Sequence, residues 1–463
     1  MRKLLVGGLI VLAVGAAIVM AVLFRLHTPA PAPASPSPGP VCGGRFRPYG
    51  EGFAGYGWSI RPGTRAALAE ALRPMQRAHA VPAITFVFYS TNHKPEEVVA
   101  SLQSPPGRWG HLVGWSSDRG IIAPDGYHSS ADGVVGVLSF RLPGLEVGVG
   151  CAGFDETDSP GASAVLALRR AVADAGRQWG TELPGMIVMS TTYHGHEEAV
   201  LEALDPETGE SVPVMGGTAA GNASAGVPHG SVIANDKALR RGLVLAVFYA
   251  DRPFRWAFRG DFNRTSKSGV VTAVAGKGRV IRQIDGRPAL EVYNEWSGGR
   301  VAEAMRSGRD MNTFTGLYPL CRMLHSERAS HNLFVHAWPA HDAATSGALV
   351  TSASVAEGDK VYFCEGSWNI LLNHIGALTR DAKAGGSSRI GAALFICCEA
   401  VLKNIPSRQR DQIAYLLNES LGEAPWMGPF TWGEQGNFPG VGNYHGNLLT
   451  GVTLFPTPVP RSR

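Results

Sequence analysis

The sequence predicts an α/β fold of the layered α+β kind: two mixed-sheet modules with flanking helices, preceded by one transmembrane helix and a Pro-rich linker. Three observations support this prediction. Short apolar runs alternate with amphipathic helical runs from about residue 82 onward, which indicates sheets covered by helices. The chain has 463 residues, which is too long for one domain of about 150 residues. An apolar stretch and a Pro-rich stretch precede the alternating runs.

An uncharged apolar stretch occupies residues 4–24. A helix of about 20 apolar residues is long enough to cross a bilayer. A cleaved signal peptide would have a shorter apolar region, of about 7–15 residues, and a small-x-small cleavage site. We therefore expect an uncleaved, single-pass membrane anchor. Arg2 and Lys3 precede the stretch and Arg25 follows it, which favours an extracytoplasmic position for the rest of the chain.

The predicted domain boundaries follow changes in composition. Residues 28–40 read TPAPAPASPSPGP, and such a segment favours a semi-rigid polyproline II spacer. After residue 260 the sequence becomes richer in turns, so a second module is expected to begin there. The predicted organisation is a transmembrane signal anchor (1–26), a Pro/Ala/Ser-rich linker (27–45), a first module (46–260) and a second module (261–458).

Hydrophobic periodicity defines the expected elements of both modules. Short apolar runs bounded by polar or Gly-rich segments predict strands, and apolar positions spaced by three and four predict helices. A helix beginning at Pro95 is favoured further by Glu96 and Glu97 in its first turn. The expected strands are 83–89, 111–115, 133–140, 145–150, 184–190, 211–215, 390–397 and 451–455. The expected helices are 95–102, 162–176, 197–204 and 407–417.

Composition argues against several classes of function. The net charge is +4, without a cluster of basic residues, so nucleic acid is not an expected partner. Six cysteines without C-x-x-C spacing indicate neither a disulfide framework nor a zinc finger. His194, His196, Glu197 and Glu198 lie close together in sequence, but the H-E-x-x-H pattern is absent. We expect no metal and no cofactor.

Two segments at predicted strand ends are candidate ligand-binding sites. Gly216, Gly217 and Thr218 follow a strand, and adjacent glycines let backbone N–H groups approach an anionic ligand. The same glycines also suit a tight turn without a ligand. Trp115 is followed by two hydroxyl residues, Ser116 and Ser117, at the strand end where open α/β sheets bind ligands; alternatively, Trp115 covers the edge of the core and the serines act as caps.

A third candidate is the Cys397-Cys398 pair, which closes a predicted strand. A thiol in such a position can be reactive. With His445 as a base, a Cys-dependent hydrolase or redox enzyme is the alternative function. No local signature of a known Cys-His enzyme surrounds these residues, and free cysteines are often simply buried.

Seven segments in a defined order resemble the FIST family (F-box and intracellular signal transduction proteins). The resemblance spans residues 82–456, and the order and spacing of the segments are more specific than any one of them. The segments are AITFVFYS (83–90), HLVGWSSDRGI (111–121), PGMIVMSTTYHGHEEAVLEAL (184–204), VPVMGGTAAGN (212–222), VVTAVAGKGRVIRQIDGRPALEVY (270–293), GAALFICCEA (391–400) and GPFTWGEQGNFPG (428–440).

The resemblance implies a bacterial-type sensory protein that binds a small molecule, an amino acid or related metabolite, and is not an enzyme. It would pass its signal to a separate signalling protein, since no output module is visible. FIST sequences usually carry an Arg where this chain has Ala400. If that Arg serves an anionic ligand group in the family, this chain either binds a different ligand or uses Lys403 or another cation. The resemblance also favours Glu434 as a partner for a ligand amino group. The expected ligand-binding residues are Trp115, Ser116, Ser117, Gly216, Gly217, Thr218, Cys397, Gly433 and Glu434.

Overall fold

The computed structural model describes residues 41–105, 108–193, 195–209, 212–222, 226–340 and 346–458. The predicted membrane anchor at residues 4–24 lies outside these ranges. Within them, no helix combines the length and the apolar character that a membrane span requires. The predicted linker was expected to reach residue 45, but strand structure already begins at Cys42.

Strands and helices alternate along the first part of the chain. In chain order they are β1 (Cys42–Tyr49), β2 (Gly52–Ser59), α1 (Thr64–Ala71), β3 (Ile84–Tyr89), α2 (Pro95–Leu102), β4 (His111–Ser116), β5 (Ile121–Ala123), β6 (Gly126–His128), β7 (Val135–Arg141), β8 (Leu145–Gly153), α3 (Pro160–Asp174), β9 (Met186–Thr192), α4 (Glu197–Thr208), β10 (Val214–Ala219), β11 (Val232–Ala234), β12 (Lys237–Leu239), β13 (Gly242–Ala250) and β14 (Arg255–Arg259).

The second part contains longer runs of strands and several short helices. In chain order they are β15 (Asn263–Ala275), β16 (Val280–Ile284), β17 (Arg287–Pro288), α5 (Ala289–Trp296), α6 (Arg300–Arg306), α7 (Met311–Thr315), β18 (Leu320–His325), β19 (Ser330–Val335), β20 (Ala337–Pro339), β21 (Leu349–Thr351), β22 (Lys360–Glu365), α8 (Trp368–Ala384), β23 (Arg389–Cys398), α9 (Glu399–Asn404), α10 (Asp411–Leu421), β24 (Trp426–Thr431), β25 (Glu434–Phe438), β26 (Gly442–Gly446) and β27 (Thr450–Thr457).

The described strands form four mixed or antiparallel sheets, which confirms the predicted α/β class. Their strand orders are β1-β2-β7-β3-β4-β11-β12, β26-β25-β10-β9-β13-β8, β14-β27-β23-β24-β5-β6 and β19-β18-β22-β15-β16-β21-β20, with β17 beside β16. Among these strands, β3 and β4, β9 and β10, and β23 and β24 pair in parallel. Each of these parallel pairs is connected through helical structure, as a parallel crossover requires.

The predicted helices form where their end signals lie. α2 begins at Pro95 and has Glu96 and Glu97 in its first turn, where carboxylates interact favourably with the positive end of the helix. α3 is capped by Ser159, whose hydroxyl accepts a hydrogen bond from the backbone N–H of Ala162. Both helices bury their apolar positions against sheets, which contributes most of their stability.

Two sheets combine strands from both parts of the chain. β10 pairs with β25, and β5 pairs with β24. The core shows the same mixing, because the ring of Phe455 lies 4.8 Å from that of Phe140 and 5.1 Å from that of Phe248. The module boundary between residues 260 and 261 remains a prediction. Strand pairs nevertheless connect the residues before this boundary with the residues after it.

The prediction of a Gly-rich loop after residue 215 is wrong, because Gly216 and Gly217 lie inside strand β10. A Cβ atom on Gly216 would overlap the backbone oxygen of Met189 in the neighbouring strand, and one on Gly217 would overlap the side chain of Thr431. Both glycines are therefore explained by close packing: a neighbouring backbone approaches Gly216, and a neighbouring side chain approaches Gly217.

We predict that Gly216→Ala lowers the free energy of unfolding by roughly 2–4 kcal/mol, because the added methyl group has no space in the sheet. Urea denaturation of the purified protein measures this change. Gly385→Ala is the control: Gly385 has φ −64°, and its nearest neighbour to an added Cβ is 3.5 Å away. That substitution should change stability by less than about 1 kcal/mol. Equal effects of both substitutions would contradict the packing argument.

Candidate functional site

Parallel strands from both parts of the chain end near one another. Tyr193 follows β9, Glu399 follows β23 and Trp432 follows β24. The rings of Tyr193 and Trp432 are 5.7 Å apart in an edge-to-face arrangement. The indole of Trp432 also donates a hydrogen bond to Glu399. Open α/β sheets bind ligands outside the carboxyl ends of their parallel strands, so this is the place where a site is expected.

A cavity of about 270 Å³ lies at these strand ends, and we name it the Trp432 cavity. Its size is slightly below that of pockets for drug-sized ligands, about 300–1,000 Å³, and suits a small metabolite. Aromatic residues form part of its wall: Tyr193, Trp338 and Trp432. Its polar and charged residues are Asn312, His336, Ser352, Glu399, Lys403, Thr431 and Asn447. Cys398, Ala400 and Gly433 complete it.

Glu399 is the electrostatic centre of this cavity. Its side chain is 4% exposed, and its Oε1 atom lies 2.6 Å from Lys403 Nζ and 3.1 Å from Arg119 Nε. These donors compensate for the loss of hydration of a buried carboxylate. Asp118 also contacts Arg119, with its Oδ2 atom 3.3 Å from the same Nε. Burial, together with the charge of Glu399, raises the pKa of Asp118 to about 6.

Glu434 lies behind the cavity wall. Its carboxyl group accepts hydrogen bonds from the hydroxyl of Thr431 at 2.8 Å and from the backbone N–H of Leu449 at 3.2 Å. Complete burial raises the pKa of Glu434 to about 8, against the effect of these hydrogen bonds. Glu434 is therefore mainly protonated at neutral pH. A neutral carboxyl group can be buried at a far lower free-energy cost than a carboxylate.

A cluster of buried ion pairs joins Arg279 to two glutamates of helix α4. Arg279 Nη2 lies 2.8 Å from a carboxylate oxygen of Glu197 and 2.6 Å from one of Glu198. Burial alone would raise the pKa of Glu198, but His445 and Arg279 together lower it to about 2. Glu198 also accepts a hydrogen bond from the backbone of Ser354. The cluster thus connects helix α4 to the second part of the chain.

The ligand atoms of Glu197, Glu198 and His445 lie within 4.8 Å of one another, a spacing that could also suit a metal. Arg279 contacts both carboxylates and already supplies the positive charge that a metal ion would supply. The residues therefore do not need a metal to compensate their charge. His194, the remaining member of the sequence cluster beside His196, lies outside the described residues.

Of the predicted ligand-binding residues, Gly433 lines the Trp432 cavity. Trp115 is completely buried, and its ring packs edge-to-face at 4.8 Å on Phe88. Ser116 donates a hydrogen bond to the backbone oxygen of Ala220 at 2.7 Å. Ser117 accepts one from the backbone N–H of Phe430 at 2.8 Å. These contacts agree with the alternative interpretation, in which Trp115 packs in the core and the two serines hydrogen-bond to backbone groups without a ligand.

The other predicted residues lie in the layer behind the cavity. Gly216 and Gly217 are strand residues of β10, as described above. Thr218 accepts a hydrogen bond from Gln435 at 2.9 Å and donates one to Glu197 at 3.4 Å. Cys397 is completely buried. The structure thus brings most of the predicted set close to the cavity without placing it in the cavity wall.

The environment of the cysteines does not match an activated nucleophile. Burial raises the pKa of the Cys397 and Cys398 thiols well above their usual range, whereas a catalytic thiol requires a lowered pKa. His445 Nδ1 lies 2.9 Å from the side-chain amide of Gln435, and its Nε2 lies 3.3 Å from the backbone oxygen of Ser352. The Cys-His pairing considered from the sequence is therefore not the arrangement of these side chains.

The cavity includes residues that sequence reasoning did not select. Asn312, His336, Trp338 and Ser352 come from a region of short elements and turns, where no local pattern marks a site. Glu399 had a usable signal, because it lies two residues after the predicted strand 390–397. Trp432 directly precedes the predicted residue Gly433. Lys403 was expected only as a substitute cation, and it lines the cavity.

We predict that Glu434→Gln flattens the pH dependence of stability. Because the folded-state pKa of about 8 exceeds the ordinary value of 4.5, the Glu434 contribution is fully present below about pH 4.5 and is lost as the pH rises through about 8. The stability of the variant relative to the unchanged protein should therefore rise by a few kcal/mol between pH 5 and pH 8 in urea melts, on the order set by the pKa shift. Glu202→Gln, at an exposed position on α4, is the control and should leave the pH profile unchanged; a profile unchanged by Glu434→Gln would contradict the raised pKa.

Comparison with known proteins identifies the family. The FIST N domain matches residues 83–287, and the FIST C domain matches residues 289–437. No curated protein sequence matches the chain. Among solved structures, the crystal structure of cyanuric acid hydrolase from A. caulinodans is similar at 9% identity and a TM-score of 0.34, over 90% of this chain and 99% of that one. A similarity this low supports no conclusion about activity. The two domain matches cover most of the chain, and the protein belongs to the FIST family.

Proposed function

We propose that the protein is a membrane-anchored sensory protein that binds a small ligand, an amino acid or related metabolite, in the Trp432 cavity. FIST family membership supports a sensory role in signal transduction. The observation that carries the proposal is a cavity at the carboxyl ends of β9, β23 and β24 that contains aromatic walls and charges of both signs. This combination of apolar surface and a few polar groups is typical of small-molecule sites.

The charges favour a zwitterionic ligand. Lys403 Nζ and Glu399 Oε1 are 2.6 Å apart, so one positive and one negative group face the cavity side by side. An amino acid presents an ammonium and a carboxylate group at a similarly short separation. Its carboxylate would pair with Lys403, and its ammonium group would pair with Glu399. Because both charges of the ligand are matched, its desolvation is compensated within the cavity.

The position of Ala400 supports the same assignment of roles. Ala400 lines the cavity at the place where FIST sequences usually carry an Arg. Lys403 lies one helical turn later on α9 and lines the same cavity. A lysine is a compact point charge, whereas an arginine binds a carboxylate in a bidentate manner. We infer that this chain holds the carboxylate through Lys403 and uses the space left by the small Ala400 side chain for the ligand.

His336 contributes hydrogen bonding without charge. Burial lowers its pKa to about 4, so the imidazole is neutral at pH 7. Its Nε2 atom lies 3.1 Å from the hydroxyl of Thr315. A neutral imidazole beside Trp338, with ring centroids 5.2 Å apart, provides a polar but uncharged part of the wall. The charge selectivity of the cavity therefore depends on Glu399, Lys403 and the neighbouring Arg119.

Signalling requires that the ligand has different affinities for two states of the protein. The cavity wall combines residues from both parts of the chain, including Tyr193 and Trp432, so ligand contacts can change how these parts pack. In the proposal, residues 4–24 anchor the protein in the membrane, the described part lies on the extracytoplasmic side, and a separate signalling protein receives the signal. The apolar stretch at residues 4–24 and its flanking charges support the anchor and its orientation.

We expect at least one amino acid to raise the melting temperature of the purified protein, in proportion to RT ln(1 + [L]/Kd). Lys403→Met should lower the affinity for that amino acid by about tenfold or more, because it removes the partner of the ligand carboxylate. This loss corresponds to about 1.4 kcal/mol of binding free energy. Isothermal titration measures the affinity. Lys94→Met is the matched control, since Lys94 forms an exposed 3.7 Å pair with Glu97 and does not line the cavity. No stabilisation by any amino acid or small carboxylate would overturn the proposal.

The cysteine-dependent alternative leads to a separate prediction. Because the Cys397 thiol is completely buried and its pKa is raised, Cys397 should react with a thiol reagent at neutral pH only after unfolding. Cys397→Ala should retain ligand binding. Rapid labelling of Cys397 in the folded protein, together with a ligand that is chemically converted and a loss of that conversion in Cys397→Ala, would support the enzyme instead.

A further inference from the structure

A second cavity lies at the ends of another group of parallel strands. It measures about 420 Å³, and we name it the Asp118 cavity. Its wall is formed by the turns after β3, β4 and β10 and by the turn between β6 and β7. Its polar lining residues include Ser90, Thr91, Asn92, Asp118, Ser130 and Asn222. It therefore has the same relation to parallel strand ends as the Trp432 cavity, but no residue lines both.

Asp118 is the one charged side chain among the described residues that line this cavity. The remaining lining groups are hydroxyls, amides and small apolar side chains. The side chain of Asp118 is only 7% exposed. A buried carboxylate is strongly destabilising unless it accepts hydrogen bonds or pairs with a cation. The contacts of Asp118 therefore determine which ligand the cavity can stabilise.

The described contacts leave Asp118 poorly compensated. Its ion-pair contact is with Arg119 Nε at 3.3 Å, and that N–H group donates its hydrogen bond to Glu399 at 3.1 Å. One guanidinium group thus serves two carboxylates. Among the described residues, no side chain or backbone group donates a hydrogen bond to Asp118. Buried carboxylates normally accept several hydrogen bonds, so among the described residues Asp118 has fewer hydrogen-bond donors than such a group requires.

We propose that the Asp118 cavity is a second binding site, specific for a small organic cation that carries a primary ammonium group and hydroxyl groups. The ammonium group would donate hydrogen bonds to Asp118 and supply the positive charge that Arg119 shares with Glu399. The hydroxyl groups would bind the side chains of Thr91, Asn92 and Ser130. A carboxylate or phosphate ligand is disfavoured by like-charge repulsion from Asp118, since no cation is found among the described residues that line the cavity.

The two cavities are lined by different residues, but one arginine contacts a carboxylate of each. Arg119 contacts both Asp118 and Glu399, and Glu399 lines the Trp432 cavity. An amine could therefore bind beside Glu399 instead of Asp118. The test has to distinguish these two carboxylates, and it does so with one substitution in each cavity.

The experiment is isothermal titration and thermal shift of the full chain with ethanolamine as probe, and with glycerol and lactate as neutral and anionic probes of similar size. Ethanolamine should bind and raise the melting temperature, whereas glycerol and lactate should not. Asp118→Asn should lower the affinity for ethanolamine at least tenfold. Asp132→Asn, which changes an exposed carboxylate in the turn before β7, should leave the affinity within twofold. Ethanolamine binding that is lost in Glu399→Gln but kept in Asp118→Asn would place the amine beside Glu399 in the Trp432 cavity and would overturn the site.

Ser129→Trp provides an independent variant, because Ser129 is an exposed lining residue whose enlargement fills the cavity without changing Asp118. It should also abolish ethanolamine binding. Unchanged binding in both Asp118→Asn and Ser129→Trp would overturn the site. Equal binding of glycerol and ethanolamine, or no binding of ethanolamine, would overturn its specificity for a cation. None of these outcomes depends on whether an amino acid binds in the Trp432 cavity.

Discussion

Strand pairing between the two parts of the chain is the constraint on which the rest of the structure depends. In the β10–β25 pair, Gly217 lies opposite Glu434, and in the β5–β24 pair, Ile121 lies opposite Pro429. The hydroxyl of Ser117 reinforces the second junction through the backbone of Phe430. These pairs hold the carboxyl ends of parallel strands from both parts at one place. Without them, Tyr193 and Trp432 would belong to separate surfaces, and no common cavity would form.

The buried charges around this junction are compensated in three different ways. Glu197 and Glu198 share the guanidinium group of Arg279. Glu434 is protonated, because its complete burial raises its pKa. Glu399 accepts hydrogen bonds from an indole and two cationic side chains. A buried charge is tolerated only with such partners. This comparison is what distinguishes Asp118, whose carboxylate has a single shared partner.

Two residues of one short helix line the candidate site. Ala400 and Lys403 both line the Trp432 cavity, and they lie on the short helix α9 after the end of β23. Ala400 contributes only a methyl group to the wall, and Lys403 contributes a positive charge one helical turn later.

The sequence by itself determined the layered α/β class, the family, and part of the regular elements, because apolar periodicity and end signals are local properties of a strand or helix. Strand β3 and helix α2 formed close to the predicted residues. Tertiary structure alone decided that Gly216 and Gly217 lie in a buried strand, since the neighbouring Met189 backbone and Thr431 side chain that require them are distant in sequence. It also decided the cavity wall: Asn312, His336, Trp338 and Ser352 meet Glu399 and Trp432 only because non-local strand pairs place them there. Periodicity identifies which face of an element is buried, but it carries no information about which distant segment that face will meet.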